Sequence, residues 1–189
     1  MTNPLFNPVS PKELAEVGQV IDIKENIENF ERLVEFVEAD LETDSAESRP
    51  RRWRAAPVDI RLEFAWSDSL QKIPVVRGQI SASIVSVCQR CLEVFPLQIN
   101  ASLKWLLLEP GEEPGEMTDL ASHEVWELEQ EFVRLVDIVE ESLLMAMPLA
   151  PKHESVDSCA TPVKEFEVVG VETSRPFSDL KSQMEKSEK

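Results

Sequence analysis

The sequence predicts an α+β fold: a single domain on an antiparallel β-sheet, or a partly closed barrel-like meander, with two or three short helices and a disordered C-terminal tail. Three observations carry this. Val58, Ile60, Leu62, Phe64 and Trp66 alternate with Asp59, Arg61, Glu63 and Ala65, the period of two expected of a strand with one buried face. Extended runs at 75–87, around Gly78, and at 98–107, where Ile99, Ala101, Leu103, Trp105 and Leu107 alternate with polar residues, follow closely and favour a meander. Helical spacing is clearest in short stretches near 27–37 and 138–147.

The first helix is predicted from Ser10-Pro11-Lys12-Glu13, a capping serine followed by a proline at the first helical position, and Gly18 suits its end. Val20-Ile21-Asp22-Ile23 reads as a strand, and Asn26 as the cap of a helix whose inner face is Ile27, Phe30, Leu33, Val34 and Val37. Residues 40–56 form an exposed connection: an acidic stretch, then Arg49, Arg51, Arg52 and Arg54 around Trp53. The core sheet is expected to start after it. A second exposed loop, 109–122, carries two Pro-Gly pairs among glutamates. Val125, Trp126 and Leu128 suggest one more short strand. Asp137, with Glu140 three residues on, reads as the cap of a helix that presents Ile138, Val139, Ser142, Leu143, Ala146 and Met147 to the sheet until Pro148 stops it. The domain is expected to span 1–160, and 161–189 to be a largely disordered tail with a docking element at 175–181.

Charge limits the functions available. The 189 residues hold 19 basic and 36 acidic side chains, a net charge of −17. Bare RNA repels such a protein unless positive charge is locally concentrated, so a basic protein partner is the easier inference, although acidity also serves solubility alone. The cluster of Arg49, Arg51, Arg52, Trp53 and Arg54 is the one concentrated basic patch. It either contacts RNA, with Trp53 stacking on a base, or neutralises the acidic stretch before it. No apolar stretch approaches the roughly 20 residues that span a bilayer, and the first residues lack the pattern of a signal peptide, so a cytoplasmic protein is expected. No phosphate-binding glycine loop, nucleophile elbow or His-Glu-x-x-His pair is present. His123, beside Glu124, reads as a surface histidine. A non-enzymatic protein is expected.

The motif with chemical content is Cys88-Gln89-Arg90-Cys91, set between extended segments. Two cysteines in such a turn can aim both sulfurs at one ion, and His153 and Cys159 beyond Pro148 could complete a Cys₃His zinc site. A lone Cys-x-x-Cys is a weak zinc signal, and free thiols that merely pack in or beside the turn are the more economical reading. Thiol–disulfide exchange does not fit the sequence, because the motif lacks the following helix whose N-terminus would activate Cys88.

The order of these features resembles the YceD family, the large ribosomal RNA subunit accumulation proteins. The resemblance rests on Cys88-Gln89-Arg90-Cys91, then residues 143–151 (Leu-Leu-Met-Ala-Met-Pro-Leu-Ala-Pro) with His153 and Cys159, then Arg175-Pro176-Phe177-Ser178-Asp179-Leu180-Lys181. It implies a bacterial cytoplasmic factor, not a known enzyme, for synthesis, processing or stability of the large-subunit (23S) ribosomal RNA. Many members carry further cysteines after the late helix, where this chain has Cys159 with His153. A factor of this kind would act through a basic ribosomal protein or an rRNA-processing enzyme. Phe177 and Leu180 are candidate docking side chains.

Overall fold

The computed structural model describes residues 3–41, 52–67, 72–112 and 123–159. The expected tail, with Phe177 and Leu180, lies outside them, as do Arg49 and Arg51. Strand β1 (Pro8–Val9) leads into helix α1 (Pro11–Glu16). Ser10 caps this helix as its sequence predicts, its Oγ accepting from the Glu13 N–H at 3.4 Å, and Pro11 occupies the first turn. Gly18, at φ 60°, turns the chain out of the helix.

Strands β2 (Val20–Asn26), β3 (Pro57–Trp66), β4 (Pro74–Val87), β5 (Val94–Leu108) and β6 (Glu124–Glu127) form one sheet in that order. Neighbours from β2 to β5 are antiparallel, whereas β6 runs parallel to β5, Trp105 opposite Glu124. That departs from an all-antiparallel meander. Parallel neighbours need a connection of about a dozen residues or more, and residues 109–123 supply it. The sheet is open, with β2 and β6 at its edges rather than closed on each other.

Helix α2 (Glu31–Leu41) and helix α3 (Leu135–Met145), entered through strand β7 (Val133–Arg134), cover one face. Strand β7 also pairs with β1. Phe30, Leu33 and Val37 on the α2 side and Ile138, Val139 and Leu143 of α3 pack on Ile60, Leu62, Ile80, Ile84, Ile99 and Leu107 in one core. These are the positions that the period-two and helical patterns select. The opposite face carries Arg61, Arg77, Gln79, Asn100 and Ser102, except at one end, where Ile73, Val75, Leu106 and Leu108 form a small buried cluster of their own. Gly78 lies where β3, β4 and β5 press together: a Cβ there would stand 2.6 Å from the Arg61 carbonyl oxygen. Among the described residues no helix is long and apolar enough to cross a membrane.

Three further sequence expectations need correction. The sheet begins at β2, before the exposed connection, because that strand pairs along its whole length with β3 and sets opposite charges face to face: Asp22 with Arg61 at 3.2 Å, Lys24 with Asp59 at 2.5 Å. Asn26 precedes a 3₁₀ turn (Ile27–Asn29) without a side-chain cap, and α2 starts only at Glu31. Asp137 does not cap α3, which begins at Leu135. It lies inside the first turn, where it binds Arg134 at 2.6 Å and 3.0 Å.

Glu140 serves the other helix. Its carboxylate, in a residue only 5% exposed, accepts the Leu33 N–H at 3.1 Å and so satisfies a free donor in the first turn of α2. Arg32 adds an ion pair to Glu141 at 2.7 Å beside it. Removing the carboxylate leaves a buried donor unpaired. Glu140→Ala is expected to lower unfolding free energy by about 1–3 kcal/mol, read as a lower urea midpoint with an unchanged slope; a midpoint equal to that of the parent chain would contradict this role.

Candidate metal centre

The end of β4 is held in place by a helix. Asp40 of α2 accepts from the Ser86 hydroxyl at 2.7 Å and from the Val87 N–H at 3.0 Å, through one carboxylate oxygen. Beyond Val87 the chain reverses through Cys88-Gln89-Arg90-Cys91 and enters β5 at Val94, opposite Val87. Hydrogen bonds from Leu92 N–H to Cys88 C=O (2.8 Å) and from Cys88 N–H to Glu93 C=O (2.9 Å) close the turn. Leu92 takes φ 61°, the left-handed conformation that zinc knuckles usually give to glycine.

The second half of the site comes from the loop after α3. Past Pro148 the chain folds back over the turn, and Gln89 N–H donates to Pro151 C=O at 2.9 Å. The Arg90 guanidinium donates to the His153 carbonyl at 3.0 Å, and the Phe95 and His153 rings lie 4.6 Å apart. A turn at 155–159, closed by Cys159 N–H donating to Val156 C=O at 3.0 Å, returns Cys159 toward the knuckle. Cys88 and Cys159 are buried with Phe95, and Cys91 and Leu97 pack beside them.

Four side chains from two distant segments thereby converge. The ligand atoms of Cys88, Cys91, His153 and Cys159 all lie within 4.8 Å of one another. His153 Nδ1 is 3.5 Å from Cys91 Sγ and 3.6 Å from Cys159 Sγ. A tetrahedral ion with bonds of about 2.3 Å to sulfur and 2.0–2.1 Å to nitrogen spaces a sulfur and a nitrogen about 3.5 Å apart. The group fits a metal ion.

The two buried cysteines differ in charge. Burial pushes the Cys88 thiol up, but the backbone N–H groups of Cys91, His153 and Arg90, with the Cys91 side chain, donate to its sulfur and bring it down to about 6. Burial, followed by the neighbouring Cys91 and Cys88 sulfurs, drives Cys159 up to about 11. Among these coupled sulfurs the thiolate charge is thus favoured on Cys88 and disfavoured on Cys159. An ion that takes all four ligands must displace the Cys159 proton, so affinity rises with pH through the neutral range and falls more steeply below about 6, where Cys88 also holds its proton.

The remaining predicted contact residues lie elsewhere. Arg52 is exposed. Arg54 forms an ion pair with Glu38 of α2 and stands 5.8 Å from the centre of the Trp53 ring, which is half-buried against the core. His123 is half-buried at the start of β6 rather than on the open surface. Arg90 and Phe95 could have been read as part of the site from their places in and just after the motif. Asp40 carries no local signal, since its partners lie 46 and 47 residues away. Calorimetric titration of metal-free protein at neutral pH is expected to show an apparent heat that varies with the ionisation enthalpy of the buffer, with net proton release; identical heats in all buffers would contradict a Cys159 that keeps its proton until the ion binds.

Residues 76–187 match the family described as large ribosomal RNA subunit accumulation protein YceD. No curated protein and no solved structure matches the chain. The matched segment covers more than half of the 189 residues and contains all four converging side chains, and the chain belongs to the YceD family.

Proposed function

We propose that this chain is a zinc-stabilised, non-enzymatic factor for the accumulation of 23S ribosomal RNA, acting in the cytoplasm through a basic protein partner in ribosome biogenesis. The observation that carries the reading is the closed ligand set. Three cysteines and a histidine meet the preference of zinc for soft and imidazole ligands, and four protein ligands leave no coordination position for water or substrate. Such an ion holds structure. Its place is the joint between the β4–β5 turn and the loop after α3.

The family name ties its members to large-subunit ribosomal RNA, and the net charge of −17 favours a Lys/Arg-rich polypeptide over bare phosphate as the direct contact. Direct RNA contact at residues 49–54 has less support, because Arg54 is already paired with Glu38 and Trp53 is partly buried against the core. Phe177 and Leu180 belong to the same proposal as a docking pair, two apolar residues three apart in a polar segment.

Protein purified without chelator is expected to hold about one zinc per chain. His153→Ala and Cys91→Ser should each lose the metal and melt at lower temperature, with chelator doing the same to the parent chain. Zinc-free native protein whose melting is indifferent to added zinc would refute the metal half of the reading. For the partner half, affinity purification is expected to retain a basic protein after nuclease treatment. Loss of all partners on nuclease treatment would instead favour direct RNA binding.

A further inference from the structure

Opposite the metal centre, β6 and α3 border a groove of about 900 Å³. Its inner part is aromatic, the Trp105 and Trp126 rings lying 4.7 Å apart. Along it stand three apolar side chains with much of their surface in solvent: Val125 (45% exposed), Phe132 (52%) and Met145 (61%). Two arginines also line the groove, but each is engaged by a carboxylate of the same lining, Arg32 by Glu141 at 2.7 Å and Arg134 by Asp137 at 2.6 Å. Among the described residues three further carboxylates then stand uncompensated. Glu124 accepts only the neutral Trp105 Nε1–H at 2.7 Å, and Glu127 and Glu129 are exposed without an ion pair among the described residues.

The backbone contributes as well. Strand β6 is an edge of the sheet, paired with β5 on one side and with no strand on the other among the described residues. An edge strand beside an apolar groove can accept an added strand, with main-chain bonds giving affinity and alternate side chains entering the groove.

We propose that this groove docks an extended, Lys/Arg-rich polypeptide segment bearing an apolar anchor, which adds a strand to the open edge of β6. The inference rests on the basic-partner reading above and gives that partner a surface. Charge selects the occupant. A nucleic acid would bring phosphates against three uncompensated carboxylates, and a neutral peptide would cover the apolar residues while leaving the mutual repulsion of those carboxylates unrelieved. Residues 160–189 of this chain carry no net positive charge and lack the same complementarity.

The test uses the full, metal-loaded chain and, as probe, RNA-free proteins purified from large ribosomal subunits. A photo-crosslinking phenylalanine analogue replaces Phe132, with a control at Gln79 on the opposite sheet face. The double variant Glu127→Lys with Glu129→Lys reverses charge at two exposed, unpaired positions, and its melting temperature and metal content verify folding. The expected result is a crosslink from position 132 but not 79 to a Lys/Arg-rich segment of one ribosomal protein, and at least tenfold weaker binding by the charge-reversed variant. A ribosomal protein bound with unchanged affinity by that variant, or crosslinked only from 79, overturns the groove while leaving the basic-partner reading intact. If the parent chain binds none of the proteins, or crosslinks from 132 only to ribosomal RNA when RNA is added, the groove proposal fails, and a basic ribosomal protein fails with it as the partner.

Discussion

The pairing of β4 with β5 is the constraint on which the rest of the molecule depends. Its register runs without interruption from Val75 opposite Leu106 to Val87 opposite Val94, and a slip of one residue would turn every side chain of either strand to the wrong face. At one end it brings Cys88 and Cys91 into a single tight turn. Along its middle it lines up Ile80, Ile84, Ile99 and Leu103 beneath the helices. At the other end it leaves Trp105 to Leu108 free to pair with β6 and so forms one wall of the groove.

Both helices read this register from above. Leu33 and Val37 of α2, and Val139 and Leu143 of α3, are each less than 2% exposed, and a Leu or Val side chain taken fully out of water contributes about 1.5–3 kcal/mol. The polar contacts around that core act chiefly on geometry. Asp40 joins α2 to the last residues of β4, and Glu140 joins α3 to the first turn of α2, so helices and sheet hold one another in fixed relation. The candidate metal centre inherits this order through Val87, the residue that Asp40 binds.

What the sequence made legible follows from the range of each interaction. Period-two alternation at 58–66, the serine before α1 and the proline that opens it, and the apolar face of α3 are local signals, and the structure bears them out. Expectations failed where a residue answers to something far along the chain. Asp137 and Glu140 have the spacing of a capping pair, but Glu140 faces α2 across the core, 107 residues from its partner. The direction of β6 depends on the path of a long connection that no periodicity records. Sequence could name Cys88, Cys91, His153 and Cys159 as candidates because their residue types narrow the choice. Their convergence depends on the loop after α3 doubling back, through backbone bonds such as Gln89 to Pro151 that any residue types could make.

The contact of Glu140 with Leu33 also bears on how the chain is made. During synthesis residues 31–41 leave the ribosome long before residue 140 does, and an isolated helix of this length is marginal in water. Until α3 arrives, the first turn of α2 lacks its acceptor and its apolar face lacks the α3 side chains that share its core. Helix α2 therefore stays conformationally unfinished until most of the chain has been translated, and its final order is set from the C-terminal side.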